Sequence, residues 1–231
     1  MNVHQVLSSW LLNSQQEKSP HNRPFVTLSY AQSLDGSIAR SDRKPLILSG
    51  EESMRITHQL RSLHDGILVG IGTVLTDDPQ LTVRHWQGEN PQPIILDSRC
   101  RIPMAARLCH RTEKNCWVLT TCSDMKSFDG VEIYQMQANE EGRVCLKHAL
   151  EFLYERGIKR LMVEGGAQII TSFLQAGLVD ALVLTICPRF IGGYRAVQSL
   201  HMDYVSNLES VQSARLNDDL LIWGSLRSQK V

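Results

Sequence analysis

With 231 residues, 42% of them hydrophobic, the chain can bury a substantial core, and its length fits one large domain at least as well as two small ones. Its 24 basic and 24 acidic side chains cancel, so no overall field draws it to nucleic acid or to an anionic membrane. No Cys-x-x-Cys pair, no metal-ligand spacing among the eight histidines and no apolar run of membrane-spanning length occurs, which argues against a bound metal and against a membrane-embedded protein. The six cysteines and an N-terminus unlike a secretion signal predict reduced thiols and a cytoplasmic setting.

In chain order, Val3, Val6, Leu7, Trp10 and Leu11 recur at helical spacing, and a polar linker follows over Asn13 to Asn22. Residues 1–22 are read as a helical extension and linker that packs on the main domain or on a partner subunit, and residues 23–231 as that domain. Pro24 to Tyr30 predicts a first strand leading into Ala31-Gln-Ser-Leu-Asp-Gly-Ser-Ile-Ala39, with a turn at Asp35-Gly36. This small-residue loop either receives a flat ligand or is an ordinary connection. Ser49-Gly-Glu-Glu52 fits a capping box, and the helix should run to about His64 with Met54, Ile56, Leu60 and Leu63 on its buried stripe. Arg61 falls in its last turn, where complementing the helix dipole is worth roughly 0.3–1 kcal/mol.

The stretch from Asp65 to Arg84 holds a short apolar run, Ile67 to Val69, read as a buried strand. It then passes Gly70 and Gly72 and ends in a polar turn closed by Asp77, Asp78 and Pro79. Those glycines serve either a tight turn or the edge of a site. Further strands are predicted at Pro93 to Asp97, Trp117 to Thr121 and Val131 to Met136. A helix with Leu146, Ala149, Leu150 and Leu153 on one face stops at Gly157, and the strand Arg160 to Val163 completes a β-α-β rhythm.

That strand enters Glu164-Gly-Gly-Ala167 ahead of a helix carrying Ile170, Phe173 and Leu174. A glycine pair there admits a ligand to the backbone, and the helix amides favour an anion such as a pyrophosphate. Glu164 alternatively does no more than hold the turn. A strand from Asp180 to Cys187 runs into the Pro188 to Gly193 loop, and Leu208 to Leu216 with Leu220 to Leu226 suit a terminal antiparallel pair.

The dinucleotide fingerprint fails because Leu75 stands where its third glycine belongs, and neither a P-loop nor a Gly-x-Ser-x-Gly elbow is present. Strand ends with small residues, a few carboxylates and isolated arginines remain, a set suited to a phosphate-bearing cofactor and substrate across a sheet edge.

Taken together, Val26-Thr-Leu-Ser-Tyr-Ala-Gln-Ser-Leu-Asp-Gly36, Leu60-Arg61, Asp65 through Arg84, Ile95-Leu-Asp-Ser98, Val163-Glu-Gly-Gly166, Gly177-Leu-Val-Asp180 and Pro188 to Gly193 resemble the pyrimidine reductase family of riboflavin biosynthesis. These stretches occur in the family's order and span residues 24 to about 195. The resemblance implies a dihydrofolate-reductase-like α/β fold with a mostly parallel central sheet flanked by helices and an antiparallel C-terminal strand pair. It also implies NADPH as hydride donor, a ribosylamino-pyrimidinone 5′-phosphate as substrate, and a homodimer.

By position, Ala31, Ile47, Thr73, Asp77, Ser98, Gly165, Gly166, Ala167, Gln168, Ile169 and Ile170 match the family's cofactor-facing residues. Arg61, Leu81, Arg84 and Glu164 match its substrate contacts, with Glu164 and Asp77 the carboxylates for proton handling. The chain departs from bifunctional members at Ser29, where they usually carry lysine, and at Pro45-Leu-Ile-Leu48, where they carry Ser-x-Trp-Ile. It also lacks their zinc deaminase signature. Two rival readings stand beside this one: a same-fold reductase of another heterocyclic or carbonyl substrate, and a non-catalytic nucleotide-binding relative.

Overall fold

The computed structural model describes residues 2–17, 21–42, 46–110, 113–124, 127–200 and 204–230. Part of the expected linker, residues 18–20, and Pro45 lie outside the described residues. The chain forms α1 (Val3–Glu17), β1 (Phe25–Ser33), β2 (Ser37–Ala39), α2 (Glu51–Ser62), β3 (Gly66–Gly70), α3 (Ile71–Asp77), β4 (Gln92–Leu96), β5 (Cys116–Thr120) and β6 (Val131–Gln135). It continues through α4 (Leu146–Glu155), β7 (Arg160–Glu164), α5 (Ala167–Gln175), β8 (Ala181–Cys187), β9 (Tyr194–Arg195), β10 (Tyr204–Leu216) and β11 (Asp219–Lys230).

The main sheet has the order β10-β11-β8-β1-β7-β3-β4-β5-β6. From β8 to β6 the neighbours are parallel, while β11 joins β8 and β10 joins β11 antiparallel. This is the mostly parallel α/β sheet with an antiparallel C-terminal pair that the resemblance implies.

Period-two alternation assigns each strand residue to a face, and both faces are covered, as parallel strands require. Val26, Leu28, Leu68, Ile94, Leu96, Leu161 and Val163 pack with Ala149, Leu150 and Leu153 of α4 and Ile170 and Phe173 of α5. On the opposite face Ile67, Val69 and Ile95 meet Ile71 and Val74 of α3. Farther along that face Phe25, Met162 and Val183 pack with Ile56 and Leu60 of α2 and with Leu7 and Leu11 of α1.

Three local expectations change. The linker expected from Asn13 is helical as far as Glu17, because Ser14 and Gln15 continue the buried side of α1. The glycine stretch leading to the expected polar turn at Asp77, Asp78 and Pro79 is the short helix α3, anchored by buried Ile71 and Val74; Asp77 ends this helix, and the chain turns at Asp78, in the left-handed region at φ 41°. The Ser49 capping box is not formed, and Gly50 is the N-cap of α2. Glu52, which would have to reach back, faces His4 and Arg55 instead. The cap comes from a distant residue: Asp219 accepts from the Gly50 amide at 2.8 Å and from Ser53 Oγ at 2.7 Å.

His64, just past α2, links this helix to the sheet. Its Nδ1 lies 2.6 Å from the Leu60 carbonyl, an acceptor, so Nδ1 carries the proton and Nε2 accepts from Thr27 Oγ1 at 2.8 Å. Burial lowers its pKa to about 4. An unfolded histidine titrates near 6.5, so the unfolded chain binds the extra proton between those values. The stabilisation from neutral His64 is therefore complete above pH 6.5 and is lost as pH falls toward 4, a difference of roughly 3 kcal/mol. Urea unfolding of wild type is expected to lose about that much more stability across this window than His64→Gln, which keeps polar atoms but cannot take the proton; equal losses would refute the assignment.

Candidate active site

Parallel strands present their C-terminal ends on one edge of the sheet, and several of the candidate residues lie there. Going across the neighbouring strands, that edge carries Ala31 on β1, Glu164 to Gly166 after β7, Gly70 to Thr73 after β3, and Ser98 after β4.

Glu164 ends β7 beside Ser29 of β1. Arg61 reaches it from α2 as a two-pronged ion pair, Nε to Oε1 and Nη2 to Oε2, each 2.7 Å. Its remaining nitrogen, Nη1, donates to the Thr82 carbonyl at 2.9 Å. Burial would lower the Arg61 pKa, but the charge and hydrogen bonds of Glu164 outweigh it and raise the value. Arg61 is thus committed within the protein, and Glu164 is an oriented acceptor with both oxygens engaged.

Arg84 differs. It is exposed, and its guanidinium donates to Thr82 Oγ1 at 2.6 Å. Crowding by the protein, then repulsion from Arg61 and Arg107, lowers its pKa against the opposing pull of Glu164. With Arg61 balanced by Glu164, the positive charge left over at Arg84 and Arg107 makes a seat for an anion.

The Arg84 amide donates to His58 Nδ1 at 2.8 Å, so the neutral imidazole carries its proton on Nε2. Burial, then Arg61, Arg84 and His85, lowers the His58 pKa to about 4, which keeps it neutral. Leu81 holds a left-handed backbone at φ 52° while its side chain is buried in the core beneath α3. What Leu81 offers a ligand is therefore its backbone.

On the neighbouring stretch, Thr73 Oγ1 donates to the Gly165 carbonyl at 3.0 Å. Asp77 lies one helical turn beyond Thr73, on the same face of α3. Although Asp77 is exposed as a residue, protein crowding raises its carboxyl pKa. Gly166 caps α5 at φ 94°, and no side chain caps that helix. The amides of Ala167, Gln168 and Ile169 are left as donors, the usual setting for a bound phosphate.

Close packing explains the glycines here. A Cβ on Gly165 would lie 2.6 Å from Ile170 Cδ1, and one on Gly70 would lie 2.6 Å from Ile169 Cγ1. With its amide oxygen placed toward the Arg143 guanidinium, Gln168 accepts from it at 2.7 and 3.0 Å. Ser98 Oγ accepts from the Val144 amide at 3.0 Å, which ties the end of β4 to the same loop.

Ile47 stands apart, 78% exposed, in a shallow groove with Ser49, Gly50, Glu51, Met54 and His85. Asp35, in the loop left open between ligand and turn, is structural. It accepts from the Ser33 and Ser37 hydroxyls and from the Ile191 and Gly192 amides, which together lower its pKa. The sequence reading missed His58, Thr82, His85, Arg107 and Arg143. Of these only His58 carried a signal, standing three residues before Arg61 and so on the same side of α2.

The family model described as the RibD C-terminal domain matches residues 24–222. A 2,5-diamino-6-ribosylamino-4(3H)-pyrimidinone 5′-phosphate reductase of Archaeoglobus fulgidus is 40% identical over 182 residues, 74% of this chain and 83% of that protein. A protein of the same name from Methanothermobacter thermautotrophicus is 36% identical, covering 87% of this chain and 97% of its own. Against RibD of Aquifex aeolicus, 33% identical, the chain spans 57% of the relative's length. The solved structure of Rib7, a riboflavin biosynthesis reductase of Saccharomyces cerevisia, superposes with a TM-score of 0.80 at 31% identity, covering 96% of this chain and 99% of that one.

The glycine packing is directly testable. Gly70→Ala is expected to lower unfolding free energy by about 1–3 kcal/mol. Combined with Ile169→Ala, which removes the opposing branch, the loss should be smaller than the sum of the two single losses. Strict additivity in denaturant titrations would show that the two side chains do not meet.

Proposed function

Since the chain belongs to the RibD C-terminal domain family, we propose that it is an NADPH-dependent reductase that converts the ribose of a ribosylamino-pyrimidinone 5′-phosphate into a ribityl chain in riboflavin biosynthesis. The observation that carries this reading is the pairing, on one sheet edge, of an uncapped helix start suited to a nucleotide phosphate with a separate cationic seat at Arg84. Relatives at 36–40% identity that share the pyrimidinone 5′-phosphate reductase name support the substrate over another carbonyl compound.

The residues fit a phosphate-bearing nucleotide. Gly165 and Gly166 keep side chains away from the backbone at the start of α5, and Arg143 adds a cation beside Gln168. Ala31, Thr73 and Ser98 line the neighbouring strand ends. When bound, the nicotinamide supplies the hydride.

Reduction at C1′ needs the sugar ring open, with an imine between C1′ and the pyrimidine amine. Opening breaks the C1′–O bond and passes the amine N–H proton to the departing ring oxygen, and reduction, with hydride added at C1′, takes up one proton at the imine nitrogen. Asp77, whose carboxyl pKa is raised, is the donor in this scheme. Glu164, held by Arg61, accepts hydrogen bonds from the substrate and fixes its orientation. Arg84 binds the 5′-phosphate, with Arg107 adding long-range attraction. Leu81 contributes backbone, and Ile47 borders the shallow groove that also holds His85.

A cytoplasmic homodimer completes the reading. Among the described residues no helix is long and apolar enough to cross a membrane. Phe190, 80% exposed, and Ile47 are joined through Arg189, whose guanidinium donates to the Ile47 carbonyl, and they offer apolar surface to a second copy.

Purified protein should oxidise NADPH when given the phosphorylated pathway intermediate, and bound NADPH without turnover would refute the assignment. Arg84→Ala is expected to raise KM for that substrate about ten- to a hundredfold with kcat little changed, the loss of a charge-assisted phosphate contact. A wild-type KM would remove Arg84 from the phosphate site.

A further inference from the structure

Helix α1 lies outside residues 24–222, the range shared with the family model, yet it touches the segment that carries Arg84. Trp86, two residues beyond Arg84, stacks on His4 of α1 with ring centroids 4.6 Å apart and planes 22° from parallel. The Arg55 guanidinium of α2 lies 5.9 Å from the same indole.

His4 is itself held fast. Its Nδ1 lies 2.5 Å from Gln59 Oε1, and Gln59 Nε2 donates to the His4 carbonyl at 2.9 Å and to Ser8 Oγ at 2.5 Å. His4 and Gln59 are both buried, so α1 is joined to α2 by a polar clasp as well as by Leu7 and Leu11.

The 82–86 segment is consequently fastened along its length, its Val83 amide donating to Asn90 Oδ1 at 2.7 Å. Arg61 holds the Thr82 carbonyl, His58 holds the Arg84 amide, and His4 holds the Trp86 ring. The first two fasten backbone up to Arg84; beyond it His85 packs edge-on against His58, with ring centroids 4.8 Å apart, and the stack on His4 is the contact that ties Trp86 to α1. The exposed Arg84 side chain itself donates to Thr82 Oγ1, so its direction depends on how the surrounding segment is held.

We infer that His4 and Trp86 are positioning residues for the substrate phosphate: α1 clamps Trp86 and so pre-sets the segment from which Arg84 meets the anion. The inference rests on the assignment of Arg84 to the phosphate. Ordering this segment before the ligand arrives removes an entropic loss from binding, so the effect falls on substrate affinity. The hydride and proton transfers occur at the β7 and α3 ends of the site and do not involve α1.

The test uses the full-length protein with saturating NADPH. His4→Ala and Trp86→Ala are each expected to raise substrate KM about tenfold, with kcat and the NADPH dissociation constant within about twofold of wild type. His4→Phe, which keeps a ring against the indole, should recover most of the affinity. In an Arg84→Ala background, Trp86→Ala should add nothing further to KM. Should Trp86→Ala fail to fold, the His4→Ala and His4→Phe pair carries the test.

Wild-type KM in the His4 and Trp86 variants, alongside a raised KM in Arg84→Ala, overturns the inference alone. A parallel loss of NADPH affinity also overturns it, since that marks general damage. An unchanged KM in Arg84→Ala overturns the phosphate assignment and the inference together.

Discussion

Arg61 and Glu164 form the contact on which both the fold and the site depend. Their side chains are 10% and 18% exposed, and the pair joins α2 to the end of β7 while the same guanidinium holds Thr82. An ion pair withdrawn this far from water adds little net stability compared with apolar residues of the same shape. Removing one partner is another matter: the stranded charge costs about 3–5 kcal/mol. Glu164 is thus fixed in direction, and the 81–84 segment is fixed against it, by one side chain that cannot be lost alone.

The polar side of α2 gives the wider pattern. Ile56 and Leu60 enter the core, while Ser53, His58, Gln59 and Arg61 are buried as well, each with a partner from a different part of the chain. Ser53 meets Asp219, His58 the Arg84 amide, Gln59 the backbone of α1, and Arg61 Glu164. These bonds offset much of the cost of burying the polar groups, with His58 Nε2 left unpartnered among the described residues, and they also dictate where neighbouring elements sit. The helix is a distribution point for orientation as much as a piece of core.

The strands were legible because short apolar runs bounded by turn residues are hard to mistake, and β3, β4, β7 and β8 fall within a residue or two of their expected limits. Helix α3 was not, since the seven residues from Ile71 to Asp77 are too few for a period to emerge between two glycines and a proline. The α2 cap was hidden for another reason: its acceptor, Asp219, lies 169 residues from Gly50 in the chain. Residue type flagged the arginines and the glycine pair, whereas the union of Arg61 with Glu164, 103 residues apart, is a product of tertiary structure. Asp35-Gly36 shows another case, a turn in a loop left open between a ligand and an ordinary connection, whose carboxylate fastens it to Ile191 and Gly192.

Strand order carries a consequence for biosynthesis. β7 lies between β1 and β3, so the first strand made has no direct partner among the next strands of the main sheet to emerge. A nascent chain ending before Arg160 holds β3 to β6 as one ribbon and β1 as an orphan, with the edges that β7 will join unpaired. Arg61 at that stage has no carboxylate to meet. Closure waits for a late segment pairing across long sequence separation, the slow and aggregation-exposed class of folding step. The arrival of β7 therefore joins β1 to the β3–β6 ribbon and brings Glu164 to Arg61 in one step, and β8, β11 and β10 then extend the sheet from the other side of β1.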